Sequence, residues 1–180
     1  MDQGRVSVSY ARALLEWAVQ KQTAQLVYLQ SESLLNLIKN NPDFYQLLHS
    51  PMVSLTKKQQ IITKLLHDFA PNLVEIVALV VKNRREKLLI NIILVFQKIY
   101  REKFGIIKSQ VESANTMGEG TKGAIKDYLA TTYNKSVELN FKVNPDIIGG
   151  FILTIEDRLM DKSVKWELEK LRKRLKGIEY

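Results

Sequence analysis

Over roughly the first hundred positions, apolar residues recur at helical spacing. In YARALLEWAVQ, Tyr10, Leu14 and Trp17 stand at i, i+4 and i+7, with Ala11, Leu15 and Ala18 beside them. That pattern predicts an amphipathic helix with a wide apolar face. A second helix is predicted over about Ala24 to Lys39, carrying Val27, Leu34 and Ile38 on one face. Asn41 followed by Pro42 reads as a cap and first-turn pair. It opens a short helix with Phe44, Leu47 and Leu48 inward, which stops before Pro51. Thr56-Lys57-Lys58-Gln59 reads as a capping box, leading into a helix through Ile61, Ile62, Leu65, Leu66 and Phe69. Pro71 opens a fifth helix, and a sixth runs from about Arg85 to Lys103. Six short helices joined by prolyl or polar turns predict an all-α bundle.

After Gly105 the period shortens to two. Ile107, Ser109, Val111 and Ser113 alternate with Lys108, Gln110 and Glu112, the stretch Val137 to Val143 alternates cleanly, and Gly150 to Ile155 makes a third strand-like run. A helix with Ile125, Leu129 and Thr132 on one face separates the first two strands. A basic amphipathic helix closes the chain, with Val164, Leu168, Leu171 and Leu175 spaced to pack one side against the preceding strands. The fold class expected is therefore mainly α: a six-helix bundle over residues 1–105, then a small α+β domain over 106–180 with the order β-α-β-β-α.

The fifth helix is the oddity. Between Leu73 and Val81 only Glu75 is polar, and from Leu88 to Phe96 only Asn91 is polar. A helix apolar all round must be buried all round. A bundle of this size has room for few wholly internal helices, so a surplus apolar face calls for cover from outside the chain. The alternative is a central helix surrounded by the other five. The reading adopted is a groove on the bundle that receives a partner's helix.

Composition removes most chemistry. The 180 residues contain no cysteine and two histidines, His49 and His67. Disulfides, thiolate metal sites and redox pairs are thereby excluded. The histidines lie late in their predicted helices with no carboxylate at ligand spacing, so a helix C-terminus or simple exposure accounts for them. GEGTKG (Gly118 to Gly123) has the wrong glycine spacing for a phosphate loop and reads as a solvated turn. Asp157 and Asp161 have no accompanying base or oxyanion donor. No catalytic residue, cofactor or metal ligand is assigned, and an enzyme is not expected. Neither apolar cluster reaches the roughly 20 residues that a membrane span needs. The opening segment lacks the apolar core of a secretory signal, so a cytoplasmic protein is expected. The net charge of +8 leaves one rival, a basic helical nucleic-acid-binding protein. Basic runs at Lys82 to Lys87 and in the last helix favour it, and the lack of a reader motif or aromatic platform opposes it.

Several segments, taken in order, resemble a known family. They are YARALLEWA, Pro51 with Lys57 or Lys58 downstream, NRREKL (Asn83 to Leu88), NPDIIGG (Asn144 to Gly150), and the C-terminal signature Gly149, Gly150, Asp161, Ser163, Leu168 and Leu171. Together they are similar to the delta-subunit family of F-type ATP synthases, which includes the mitochondrial oligomycin-sensitivity-conferring protein. Two positions depart from the family. Glu156 stands before Asp157 where the family usually has glycine, and Asn144 stands where aspartate is frequent.

The resemblance implies a noncatalytic stator part at the top of the peripheral stalk, on the cytoplasmic side of a bacterial plasma membrane. It implies a groove between the first and fifth helices for the N-terminal helix of an alpha subunit, and attachment of the C-terminal domain to the stalk's b subunits. No nucleic acid is implied, and membrane association is only through the complex. Carried onto this chain, the alpha-subunit interface would draw on Tyr10, Ala11, Leu14, Leu15 and Ala18 of the first helix and Leu73, Ile76, Val77 and Val80 of the fifth. Small Ala11 and Ala18 would permit close helix approach. The glycine pair would allow a tight turn into the third strand. Asp161 and Ser163 are both competent to cap the final helix.

Overall fold

The computed structural model describes residues 3–50 and 52–176, and the chain divides into two compact units between Tyr100 and Arg101. The first unit is helical: α1 (Gln3–Gln20), α2 (Ala24–Asn40), α3 (Pro42–His49), α4 (Leu55–Phe69) and α5 (Val74–Lys82), followed by α6 (Leu89–Phe104), whose last turn crosses the division. Short 3-10 turns at Pro71–Leu73 and Glu86–Leu88 lead into α5 and α6. Pro51 and the side chain of His49 lie outside the described residues.

The core faces follow the apolar periodicity. Val27, Leu34 and Ile38 of α2, Phe44 and Leu48 of α3, and Ile62 and Leu66 of α4 are buried together with Val77, Val80 and Val81 of α5. Phe96 of α6 is fully enclosed. A small polar network joins α2 to α6: the Gln97 amide donates to the Ser31 hydroxyl (3.0 Å), which donates to the Tyr28 carbonyl (2.6 Å). The Tyr28 and Tyr100 rings stack beside it at 4.3 Å between centroids.

The caps differ from the sequence reading. Ser54, not Thr56, is the N-cap of α4, and its hydroxyl accepts from the Lys57 amide. The cap, and with it the start of the helix, therefore lies two residues earlier than the expected capping box implied. The Asn41 side chain does not cap α3; its amide donates back to the Leu37 carbonyl and closes α2, while Pro42 takes the first turn of α3 as expected. α1 and α5 each end on a residue with positive φ, Gln22 (+58°) and Arg84 (+55°). In each case the next amide reaches back to a carbonyl one turn inside the helix, Thr23 to Ala18 and Arg85 to Val80. This is the Schellman arrangement, which satisfies carbonyls that the helix end would leave unpaired.

One ion pair is buried. Lys58 of α4 places its ammonium 2.8 Å from both the Glu86 carboxylate and the Leu48 carbonyl. The side chains of Lys58 and Glu86 are 4% and 13% exposed. The pair ties α3 and α4 to the turn that links α5 with α6.

The second unit holds a four-stranded sheet in the order β2-β1-β3-β4, formed by β1 (Ile106–Ser113), β2 (Ser136–Val143), β3 (Gly150–Ile155) and β4 (Arg158–Ser163). β1 and β2 run parallel through the crossover helix α7 (Glu119–Tyr133), and β3 is antiparallel to both β1 and β4. Val111, Leu129, Val137 and Leu153 form the core between α7 and the sheet. Ile125 packs beside them, whereas Thr132 is exposed. On the edge of that core the Glu112 carboxylate accepts from the Asn144 amide (3.1 Å), with Lys142 3.6 Å away. The Asn144 hydrogen bond, assisted by the Lys142 charge, outweighs desolvation and holds the Glu112 carboxyl below its ordinary range. α8 (Val164–Leu175) follows β4 directly.

Two expectations are corrected here. The order is β-α-β-β-β-α, because Arg158–Ser163 pairs with β3 as a fourth strand. Gly120 and Gly123 also lie inside α7, which Gly118 caps, so that segment is helix and not a solvated turn.

Two stability predictions follow from these contacts. Lys58→Met leaves Glu86 buried without its cation and is expected to cost about 3–5 kcal/mol in urea unfolding, while Lys58→Met combined with Glu86→Leu recovers most of the loss. A double variant as unstable as the single one would mean that packing, not charge pairing, makes Lys58 necessary. At the two-residue β3–β4 turn, Glu156 has φ +50°. Glu156→Gly is expected to raise stability by about 0.5–1 kcal/mol, read as a higher melting temperature.

Candidate functional site

Two features stand out, one in each unit. In the first unit α1 and α5 run antiparallel without closing on each other. Ala13, Leu14 and Trp17 of α1 face Ile76, Leu79 and Glu75 of α5 across an open groove of about 220 Å³, with Asn72 at one end. The floor is almost wholly apolar, and Leu79 is 46% exposed on its wall.

The groove owes its shape to what lies beneath it and to how its ends are fastened. Leu73, Val77, Val80 and Val81 are buried on the inner side of α5, which fixes the opposite side outward. Small Ala11 and Ala18 are fully buried on α1, letting that helix sit close to its neighbours. One turn before Ala13 and Leu14, the Tyr10 hydroxyl accepts from the Asn83 amide (2.8 Å) and from the Arg85 guanidinium (3.2 Å). Arg85 also lies over the Tyr10 ring at 5.5 Å. At the other end the Asn72 backbone amide donates to the Gln30 side chain of α2 (3.1 Å).

Of the nine positions singled out from the sequence, Leu14 and Ile76 line this groove and Tyr10 fastens its end. Ala11, Leu15, Ala18, Leu73, Val77 and Val80 are buried in the core of the unit. Ala13, Trp17, Glu75 and Leu79 complete the lining and were not singled out. Choosing the richest apolar arc selects the inner face of a helix that is apolar all round. The position of Glu75, alone polar between Leu73 and Val81, was the available sign of the outer face.

In the second unit the halves of the C-terminal signature meet. Gly150 pairs with Ser163 across β3 and β4, at φ +74°, and a Cβ there would run into the Lys162 carbonyl oxygen. The Val164 amide donates to the Gly149 carbonyl (2.9 Å). Ser163 is the N-cap of α8: its hydroxyl accepts from the Trp166 amide (3.2 Å). Asp161 acts one step earlier, its carboxylate accepting from the Ser163 amide (2.8 Å) and setting the cap in place.

The helix so anchored does not pack as the sequence suggested. Val164, Leu168, Leu171 and Leu175 keep their common face, but all are exposed, and α8 buries no residue. The sheet face that could have received them is already covered by α7. Leu168 and Leu171 of the signature are therefore surface residues, and Ile148, at φ +68° in a tight turn, is exposed beside the glycines.

Among the described residues no cluster of His, Asp or Glu side chains could hold a metal ion. No helix there is long and apolar enough to cross a membrane. His67 lies exposed at the end of α4 beside Asp68.

The described residues thus present a concave apolar groove on one unit and an exposed amphipathic helix on the other, with no metal-ligating cluster, as in a protein of structural class. Residues 6–175 match the ATP synthase delta (OSCP) subunit family. The chain is 31% identical over 172 residues to ATP synthase subunit delta of Carboxydothermus hydrogenoformans, covering 96% of this chain and 97% of that one. It is also 31% identical over 176 residues to the subunit delta of Moorella thermoacetica, covering 98% and 99%. A chain from the cryo-EM structure of the Toxoplasma gondii mitochondrial ATP synthase hexamer shares the fold, with a TM-score of 0.73, 21% identity and 97% coverage of both chains. The protein belongs to the ATP synthase delta (OSCP) subunit family, whose members are structural and not catalytic.

Because the cap of α8 is reached through two residues, Ser163→Ala is expected to cost about 1 kcal/mol and to speed amide exchange at Trp166. Asp161→Asn, which keeps an acceptor oxygen, should cost less than Asp161→Ala. Equal losses for both Asp161 variants would mean that the carboxylate acts by charge at the helix end and not by holding the Ser163 amide.

Proposed function

We propose that this protein is the stator subunit that fastens the catalytic head of an F-type ATP synthase to its peripheral stalk, on the cytoplasmic side of a bacterial plasma membrane. The observation that carries the proposal is the open groove between α1 and α5, lined by Leu14, Trp17, Ile76 and Leu79. Its occupant is the N-terminal helix of an alpha subunit. Three or four aliphatic side chains entering it would contribute roughly 5–10 kcal/mol of gross hydrophobic stabilisation before association costs. The C-terminal unit meets the stalk's b subunits through the exposed stripe Val164, Leu168, Leu171 on α8. Both attachments are passive: the subunit resists rotor torque and neither binds nucleotide nor transfers protons. The rival nucleic-acid reading rested on net charge and on the basic runs at Lys82 to Lys87 and in the last helix, and membership of the delta family favours the stator reading over it.

The test is calorimetric titration of the full chain with a peptide copying the alpha subunit's N-terminal helix from the same organism. One-to-one binding is expected, tolerant of salt and with a negative heat-capacity change. Ala13→Trp and Leu79→Asp, both at exposed positions of the groove, should each weaken it by about tenfold or more while leaving the melting temperature unchanged. A bulky residue at Ala11 is unsuitable, since that side chain is core and its replacement would test folding. No binding at low or high salt, or full binding by both groove variants, would remove the groove from the interface.

A further inference from the structure

The groove is not electrically uniform. Asn83 lies one turn beyond Leu79 on α5, and Tyr10 one turn before Ala13 and Leu14 on α1, so both continue the groove faces. Their hydrogen bond places the Arg85 guanidinium over the Tyr10 ring at that end. Among the described residues no carboxylate pairs with Arg85: it donates to the Tyr10 hydroxyl and has further N–H groups to offer. Exposed Lys82 adds positive charge at the same end. At the opposite end Glu75 lines the groove, exposed and outside every ion pair among the described residues.

Two unpaired charges of opposite sign thus bracket an apolar floor. Glu75 and the C-cap Asn83 of α5 are eight positions apart, about 12 Å at the helical rise. A docked helix would meet this spacing with charged residues two turns apart, at i and i+7 or i+8, on the edges of its apolar face. Carboxylates are favoured in the first turn of a helix and cations in the last. The acidic end of an amphipathic helix is therefore its N-terminal end.

We infer that the groove selects the direction of its occupant: an amphipathic helix carrying a carboxylate near its N-terminus and a lysine or arginine two turns later lies antiparallel to α5, its carboxylate on Arg85 and its cation beside Glu75. The inference rests on the groove being the docking site. It adds that the apolar contacts set affinity, while the bracketing charges set orientation and exclude helices of the reverse charge order.

The test uses the full chain and a designed helical peptide of leucines on one face, with glutamate near its N-terminus, lysine seven positions later, and an N-terminal nitroxide. The label is expected to broaden the amide signals of Asn83 to Arg85 more strongly than those of Asn72 and Glu75. Arg85→Gln should weaken binding about fivefold, and this loss should vanish against a peptide in which glutamine replaces the glutamate. Glu75→Gln, at an exposed position that leaves the Tyr10 contacts intact, should give the same result against the lysine. Stronger broadening at Asn72 and Glu75 than at Asn83 to Arg85, or affinities unchanged in both variants, would overturn the inference while the groove reading stands. A peptide that fails to bind even the unaltered protein would overturn both.

Discussion

α5 is short, nine residues from Val74 to Lys82, and apolar on nearly every side. The first unit depends on how that helix is enclosed. Its inner side is covered completely, with Val77, Val80 and Val81 losing all contact with water. Its outer side cannot be covered without α1 moving onto it, and α1 is held off by its own buried face of Ala11, Leu14, Leu15 and Ala18. The same residues that make a sound core thereby leave Ile76 and Leu79 facing an unfilled groove. A polar residue at either position would make the free subunit more soluble and the groove less adhesive.

Two polar devices keep this arrangement from collapsing. The Lys58–Glu86 pair fixes the turn after α5 against α3 and α4, and the Tyr10–Asn83–Arg85 cluster fixes the same turn against α1. Both converge on the segment Asn83 to Leu88, which explains why that stretch of sequence is so distinctive despite its lack of catalytic chemistry. Its positive-φ residue, Arg84, ends α5 with satisfied carbonyls and turns the chain so that Arg85 and Glu86 point to different partners. A groove with anchored ends is preformed, and a preformed site loses less conformational freedom on binding.

Much of this was legible in the sequence because periodicity reports burial directly. The helices of the first unit, the alternation in β1 and β2 and the role of Gly150 were all readable at the level of pattern. What was not legible had physical causes. α5 has no polar face to set its phase, so the sequence left open which of its apolar residues face outward. β4 escaped because most of this edge strand is exposed, Leu159 and Met160 included, and no alternation marks Arg158–Ser163 as paired. Ser54 was overlooked beside Thr56 because two residues capable of capping lay a half-turn apart, and only the backbone decides between them. The stripe on α8 was seen correctly, but an apolar stripe does not say whether its cover comes from the same chain.

That last ambiguity separates the two docking surfaces in kind. The groove is concave and its walls are held by the core beneath them. The α8 stripe is convex, on a twelve-residue helix that buries none of its side chains and whose first turn is fastened by Ser163, Asp161 and the Gly149 carbonyl. Isolated helices of that length are marginal in water. The glycine pair and the cap therefore do more than start the helix: they supply the fixed end from which it can be held in register. Under the proposed function, a partner covering Leu168 and Leu171 would stabilise the far turns as it binds, so ordering and attachment would be one event there, whereas the walls of the groove are already held in place.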